Sequence, residues 1–447
     1  EKVNATLNSA LYRVAGDPAG AANAPTTITF EYSEAEDGSG LRVKKAFSFE
    51  PNSFKVTYHG DVTQGAKALS SAVVWGPAVG DQNGEPSRYT QKPEGLIYRN
   101  GSVERLAAKD LAKQASYEGD FRYAGVDDQY FMTVVLGPAQ VNVSYQPLSV
   151  PPPAGVKEPR ELVAFAVEPG AGAAKNGMTF FAGPKDFDVL ASIDREFVRA
   201  IDFGWFAVIV VPLLRSLKWI NATVGNYGWS IIILTILINA VMFPLRHKSV
   251  VSMRKMQEIQ PEVKSIQDRY AKLKSTDPAK QKMNEELMKL YRDRGVNPAS
   301  GCVPMLLTFP VLFAFYSLLS KAIELRGAPF AFWIHDLSLH DPYYVTPILM
   351  GASQLWQQRM TPMTGGDEAQ QKMMMFMPIV FTFMFLWAPS GVALYWFVSN
   401  IWGIGQQYLT NYLIGPPVVR QVRPPAERRM KKVGAGKTEA AAEKTEE

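Results

Sequence analysis

Few residues in this chain have the types and spacing that reactive or metal-binding chemistry needs. Gly436-Lys437-Thr438 has the ending of a phosphate-binding loop. Such a loop needs a glycine five residues before Gly436 and a strand ahead of it. Lys431 stands there, no strand pattern precedes it, and an Ala/Glu tail follows. His335-Asp336 and His340-Asp341 have the look of paired metal ligands, but no further His or Cys lies nearby, so loop polarity and capping explain them better. The single cysteine, Cys302, excludes an intramolecular disulfide and a multi-cysteine zinc site. Neither H-E-x-x-H nor G-x-S-x-G occurs. No catalytic residue, metal or cofactor is expected, and the chain does not read as an enzyme.

Neutral polar residues set into apolar stretches are the more informative set. Thr235 and Asn239 stand four apart, on one face of a helix. Ser353, Gln354 and Gln357 share a second stretch, and Thr382 lies in a third. Tyr395, Ser399, Asn400, Gln406 and Gln407 run along a fourth. Hydrogen bonds between membrane helices would account for such residues at about 0.6–2 kcal/mol each. Facing one another, they would instead keep a hydrated pocket open within a bundle.

The elements that must position these residues divide the chain in two. Residues 1–200 carry 20 Lys+Arg against 24 Asp+Glu; the remainder carries 27 against 18. An acidic half followed by a basic, apolar half indicates two environments. Residues 1–185 show short alternating runs, at 27–32, 46–49, 54–58, 129–136, 141–145, 162–167 and 178–181, separated by Gly, Pro and Asn clusters. This predicts a soluble β-sandwich. Phe187, Leu190, Ile193 and Phe197 predict an amphipathic connecting helix over 186–200. The apolar run 203–214 is only 12 residues long and stops at Arg215, which predicts an interfacial helix that ends by 225 rather than a span.

Five candidate spans follow, at 226–245, 303–323, 343–360, 373–388 and 391–414, with no Asp or Glu inside them. The fold class is therefore a membrane α-helical bundle of five core helices behind a β-sandwich domain. Residues 246–302 carry 13 Lys+Arg, and the tail 415–447 carries eight. The loop 324–342 carries one Arg, and 361–372 forms a short connection. The positive-inside rule places 246–302, 361–372 and the tail in the cytoplasm. Five spans then put the β domain and the loop 324–342 on the periplasmic side. Within 246–302, Met253, Met256, Ile259, Val263, Ile266, Tyr270 and Leu273 recur at helical spacing. Pro278 starts a second helix with Met283, Leu287, Leu290 and Tyr291 on one face, and Gly295 ends it. This is a helical hairpin.

Val224 to Ile232 (VGNYGWSII), Met242-Phe243-Pro244-Leu245, Gln260-Pro261 and Asn297-Pro298 with Gly301-Cys302 form a connected set of motifs. It continues with the run from Arg326 to Ser338 (RGAPFAFWIHDLS), Asp341-Pro342-Tyr343-Tyr344, Pro389-Ser390-Gly391, Leu394-Tyr395-Trp396 and Ser399-Asn400. Over residues 202–415 the chain closely resembles the YidC/Oxa/Alb family of membrane protein insertases. Its first half resembles, more weakly, that family's large periplasmic domain, as at Phe181-Ala182-Gly183-Pro184-Lys185. The resemblance implies a nucleotide-free insertase in the bacterial inner membrane, and an N-terminal anchor helix that this chain, starting at Glu1, does not include. It implies a hydrophilic groove open to cytoplasm and lipid, here formed by Thr235, Asn239, Arg246, Gln354, Gln357, Tyr395, Trp396 and Ser399. Implied partners are nascent membrane proteins, the Sec translocon, the ribosome, the signal recognition particle receptor and the phospholipid bilayer. No small-molecule substrate is implied.

Two positions depart from the family pattern. The family usually carries an arginine four residues after a threonine in its first core span, and Asn239 stands there after Thr235. Trp396 stands where a tyrosine is common. Arg246 lies seven residues beyond Asn239, which returns it to nearly the same helix face about 10 Å further along. It can reach back toward the groove or simply anchor the helix end. The hairpin residues Met253, Met256, Ile259, Leu287 and Leu290 are expected to meet substrate first. Arg420, Arg423, Arg428, Arg429, Lys431 and Lys432 are expected to bind ribosomes or anionic lipid. A small-solute transporter and an assembly scaffold that inserts nothing are the competing readings.

Overall fold

The computed structural model describes all residues except 1, 17–23, 35–39, 77–78, 80–90, 138–140, 153–158, 169–176, 271–276, 298–302, 361–367 and 416–447. The chain forms two compact units, Glu1–Gly204 with Ser320–Glu324, and Trp205–Leu319 with Leu325–Glu447. The tail cations and Cys302 lie outside the described residues.

The first unit opens with α1 (Lys2–Ser9) and the strands β1 (Arg13–Ala15), β2 (Thr26–Ser33), β3 (Leu41–Phe49), β4 (Lys55–Gln64), β5 (Lys67–Ala68), β6 (Val73–Trp75), β7 (Glu94–Arg99) and β8 (Ser102–Leu106). After α2 (Ala108–Leu111) come β9 (Ser116–Gly119), β10 (Tyr123–Asp127), β11 (Phe131–Leu136), β12 (Val141–Val150), β13 (Arg160–Glu168) and β14 (Met178–Pro184). The larger sheet runs β1-β2-β3-β4-β14-β11-β10-β7-β8, and the smaller runs β6-β13-β12-β9. One apolar cluster draws Ile97, Ala124, Val126 and Val135 from the larger sheet and Val143, Tyr145, Val163 and Phe165 from the smaller. Sheets sharing one core in this way form a sandwich. The strands β7 to β10 lie outside the alternating runs of the sequence. Every residue of β10 is buried, Asp127 included, so neither face meets water and no alternation marks it.

At the end of this unit, α3 (Phe187–Ile193) is shorter than the 186–200 helix that its periodicity predicts. The Asp186 carboxylate caps its start by accepting from the Asp188 and Val189 N–H groups. Asp194 ends it and accepts from Glu196 N–H and the Arg122 guanidinium. A 3-10 turn at Phe197–Ala200 follows.

The second unit is helical: α4 (Ala207–Val224), α5 (Tyr227–Glu258), α6 (Gln260–Tyr270), α7 (Ala279–Asp293), α8 (Val303–Lys321), α9 (Val345–Met360), α10 (Glu368–Phe385) and α11 (Ser390–Ile414). Two helix boundaries differ from the expected ones. The 12-residue apolar run is part of the longer helix α4, and the Gly204–Val224 stretch has, by length and composition, what a span needs. Charges at Arg215 and Lys218 end the apolar run but not the helix. Val210, Leu214, Leu217 and Ile220 stay buried at helical spacing, and the helix stops only where Gly225 takes a φ of +71°.

The first core helix also does not stop at Leu245. It runs unbroken through Pro244 to Glu258 and is the second helix whose length and hydropathy suit a span. At about 1.5 Å per residue it exceeds a ~30 Å hydrocarbon core by several turns. Met253 and Met256 therefore lie on α5, and the hairpin itself is α6 and α7. Met256, Ile259, Val263 and Val296 form its core, with Leu287, Leu290 and Tyr291 packed against them.

Candidate functional site

Four helices, α5, α9, α10 and α11, carry the polar residues that sequence singles out, and hydrogen bonds tie three of them together. On α5, Thr235 is fully buried and its hydroxyl donates 2.6 Å to the Ile231 carbonyl of its own helix. Asn239 is also buried, and its Nδ2 donates to the Thr235 carbonyl at 2.8 Å and to Ser399 Oγ at 3.3 Å. This second bond ties α5 to α11. On α9, Ser353 Oγ accepts from Asn400 Nδ2 at 3.0 Å, which ties α9 to α11. The same Nδ2 lies 3.2 Å from the Met350 carbonyl. Buried amides are costly unless paired, so these bonds fix the three helices in one register.

These helices, with α8 and α10, enclose a cavity of about 450 Å³. Arg246, Gln354, Gln357, Tyr395, Trp396 and Ser399 all line it. Thr235 and Asn239 do not; they stand behind its wall. Asn239 is nevertheless connected to it, because Arg246 Nη1 donates to Asn239 Oδ1 at 2.7 Å. The guanidinium thus turns back along α5 over two helical turns, with its aliphatic stem covering the distance. Tyr395 is held by Phe315 of α8, ring on ring at 4.1 Å. Trp396 sits against Phe381 and Phe385 of α10 at 5.4 and 4.8 Å. Gln354 Oε1 is buried without a hydrogen-bond partner in the structure, an acceptor left open in the wall.

The lining also includes Arg254 and Gly403, which the sequence reading did not single out, and Gln406 and Gln407, which it named as polar residues of the last span but not as groove residues. Arg254 is buried and donates to the Asn411 side chain and the Gly415 carbonyl at the C-terminal end of α11. A cation there complements the helix dipole and satisfies a free carbonyl. Its sequence signal is a basic residue about two turns beyond Arg246. Among the described residues the cavity lining contains two arginines and no carboxylate.

The histidine–aspartate pairs serve the loop between α8 and α9. Asp336 accepts from Ser338, Asp341 accepts from Trp333, Tyr343 and Thr346, and His340 stacks on Tyr344. Among the described residues no three His, Cys, Asp or Glu side chains group as metal ligands.

The chain is similar to known proteins from residue 1 to residue 415. Residues 1–216 match the family model of the YidC periplasmic domain, and residues 219–415 match that of the 60Kd inner membrane protein. The membrane protein insertase YidC of Geobacter sulfurreducens is 43% identical over 303 residues, 68% of this chain and 55% of that protein. The Campylobacter jejuni insertase YidC is 45% identical over 231 residues, 52% of this chain and 43% of that protein. The match thus spans about half the length of these two relatives. The insertase YidC of Geobacter sp. strain M21 is 38% identical over 376 residues, 83% of this chain and 68% of that protein. A solved structure, an active YidC insertase with its first transmembrane domain resolved, matches 90% of this chain and 79% of that one. It does so at 20% identity and a TM-score of 0.38, so the assignment rests on sequence. A periplasmic-domain match joined to an inner-membrane-protein match, with relatives aligned across both, makes this chain a member of the YidC family of membrane protein insertases.

Proposed function

We propose that this chain integrates newly made proteins into the inner membrane through the cavity between α5, α9 and α11. The observation that carries this reading is the Arg246 guanidinium, turned back to Asn239 and lining a cavity walled by glutamines. The residues suit a substrate that must bring polar backbone or side chains partway into a bilayer. Amide and hydroxyl groups replace some of the water that such a segment loses. The two arginines favour acidic segments, and the apolar side of the cavity accepts the hydrophobic ones. Release of about 20 apolar residues into lipid supplies the driving force.

In this reading α5 and α8 to α11 span the bilayer, α4 lies along the membrane surface with Arg215 and Lys218 toward water, and the β unit is periplasmic. The hairpin of α6 and α7 and the tail 415–447 are cytoplasmic, in keeping with their basic charge. The hairpin receives the nascent chain, with the ribosome and the signal recognition particle receptor as cytoplasmic partners and the Sec translocon as a membrane partner. The cavity charge comes from Arg246 rather than from position 239.

Reconstituted vesicles test the reading. The expected outcome is integration of a small single-span protein, scored by protease protection, with photocrosslinks from position 396 or 399 to the stalled chain. Solute flux without integration would mark a transporter, and neither activity a scaffold. Arg246→Ala is expected to slow an acidic-tailed substrate, and Asn239→Arg to restore its rate. An unchanged rate in Arg246→Ala rules out the charge role.

A further inference from the structure

Phe332 is 88% exposed and has a backbone φ of +55°. That conformation is disfavoured for a bulky L-residue, and Gly or Asn would hold it with less strain. The strain is not loop disorder, because the surrounding backbone is fixed. Phe330 N–H donates to Ile334 O at 3.0 Å, Ile334 N–H to Ala331 O at 3.1 Å, and Leu337 N–H to Ala328 O at 3.0 Å. Asn226 Nδ2, at the start of α5, donates to the carbonyls of Pro329 and Phe330. The start of α11 joins the same frame, with Ser390 N–H to Leu339 O and Gly391 N–H to Leu337 O. A rigid frame that holds a large apolar side chain outward in a strained conformation points to a contact that uses it.

The chemistry of that contact can be read from the loop. Its carboxylates are spent internally: Asp341 is buried, and Asp336 accepts from Ser338. What faces outward is mainly apolar or aromatic, with Phe332, Leu339 at 59% and Tyr343 at 68% exposure, and the polar side chains exposed beside them are the imidazoles of His335 and His340. Trp229 at the start of α5 packs on Phe330, and the exposed pair Phe383 and Trp387 flanks the turn into α11. These aromatics gather at one end of the helical unit, at the opposite end of α5 from the hairpin. They continue the apolar flanks of α5 and α10, where Ile233, Leu237, Ile379 and Val380 are exposed. Aromatic rings at the end of an apolar helix surface suit the headgroup–acyl boundary of a bilayer.

We infer that residues 326–344 form a rigid interfacial anchor, with Phe332 as a wedge in the leaflet opposite the hairpin. The anchor rests on the membrane reading of the helical unit, and the test separates the two. Cys302→Ser removes the chain's one native thiol. In that background, single cysteines replace Phe332, Val241 of α5 and Lys109 of the β unit, and carry a nitroxide in vesicles of phosphatidylethanolamine and phosphatidylglycerol. Val241 is 80% exposed and serves as the hydrocarbon reference. Relaxation by oxygen should exceed relaxation by a water-soluble nickel chelate at 332, as at 241 and unlike 109. A label at 332 that matches 109 while 241 is lipidic overturns the anchor alone. A label at 332 shielded from both reagents marks a protein contact and also overturns it. Water access at 241 overturns the membrane reading and the anchor with it. Phe332→Trp gives an independent reading that keeps an aromatic ring: lipids brominated near the headgroup should quench the added fluorescence, and no added quenching refutes the wedge.

Discussion

Asp341 organises its loop through one carboxylate. Burial alone would raise its carboxyl, but the Thr346 and Tyr343 N–H groups, the Thr346 hydroxyl and the Trp333 indole outweigh that and hold it below the usual carboxylate range. A carboxyl depressed by folding stabilises the folded state above its ordinary value, and that contribution is lost as pH falls through the depressed value. Asp341→Asn should therefore cost about 1–3 kcal/mol at neutral pH. Its deficit against the parent in thermal melts should narrow below about pH 4. In the β unit, Lys185 Nζ sits 3.0 Å from Asp127 Oδ2, with both side chains almost fully buried and Arg105 3.7 Å from the same oxygen. Lys185→Met leaves a buried carboxylate short of its nearest cation and should cost about 3–5 kcal/mol in chemical denaturation. Adding Asp127→Leu should recover most of that loss, because the stranded charge is gone. Neither residue is visible as a pair in sequence. They are 58 positions apart and meet only because β10 and β14 both pair with β11.

At the scale of elements, the seat of the Gln357 amide of α9 against α11 depends on a missing side chain. A Cβ at Gly403 would lie 2.1 Å from Gln357 Nε2, so the amide can cross α11 only where no side chain stands. The clash is with the end of a flexible side chain, and alanine favours the helix by about 1 kcal/mol. Gly403→Ala should therefore keep the thermal midpoint within a few degrees while displacing Gln357 and slowing insertion; a normal insertion rate would remove Gln357 from the mechanism. The hairpin behaves as a separate element. Its apolar core comes from α6, α7, Val296 and the last turn of α5. Replacing residues 260–294 by a short linker should abolish insertion and leave the helical unit folded by limited proteolysis. A deletion starting at 253 should be more disruptive, because it also removes the Arg254 bonds to the end of α11. Hydropathy marks where apolar residues end, whereas the helix α5 continues because nothing in 246–258 breaks it. Likewise α4 outlasts its apolar run, since Arg215 can face outward without disturbing the buried stripe.

For the whole molecule, charge sets the tail apart from the rest of the chain. The tail holds six cations within residues 420–432, and truncation after Ile414 should weaken ribosome cosedimentation and flatten its salt dependence. Equal, salt-independent binding would leave the tail a simple topological anchor. The β half and the helical half, their order and their family follow from the sequence alone. Alternation, apolar length and the placement of Gly and Pro are local properties, and local properties survive in one dimension. The composition of the cavity does not. Thr235 and Asn239 have the same spacing whether they face a groove or stand behind its wall, and only packing against α11 turned them inward. Arg246 is legible from helix periodicity, but Arg254 reads as a loop charge until α5 proves continuous and α11 comes within its reach. Helix spacing is set by side chains far apart in sequence, so which polar groups share a cavity was decided by the tertiary structure.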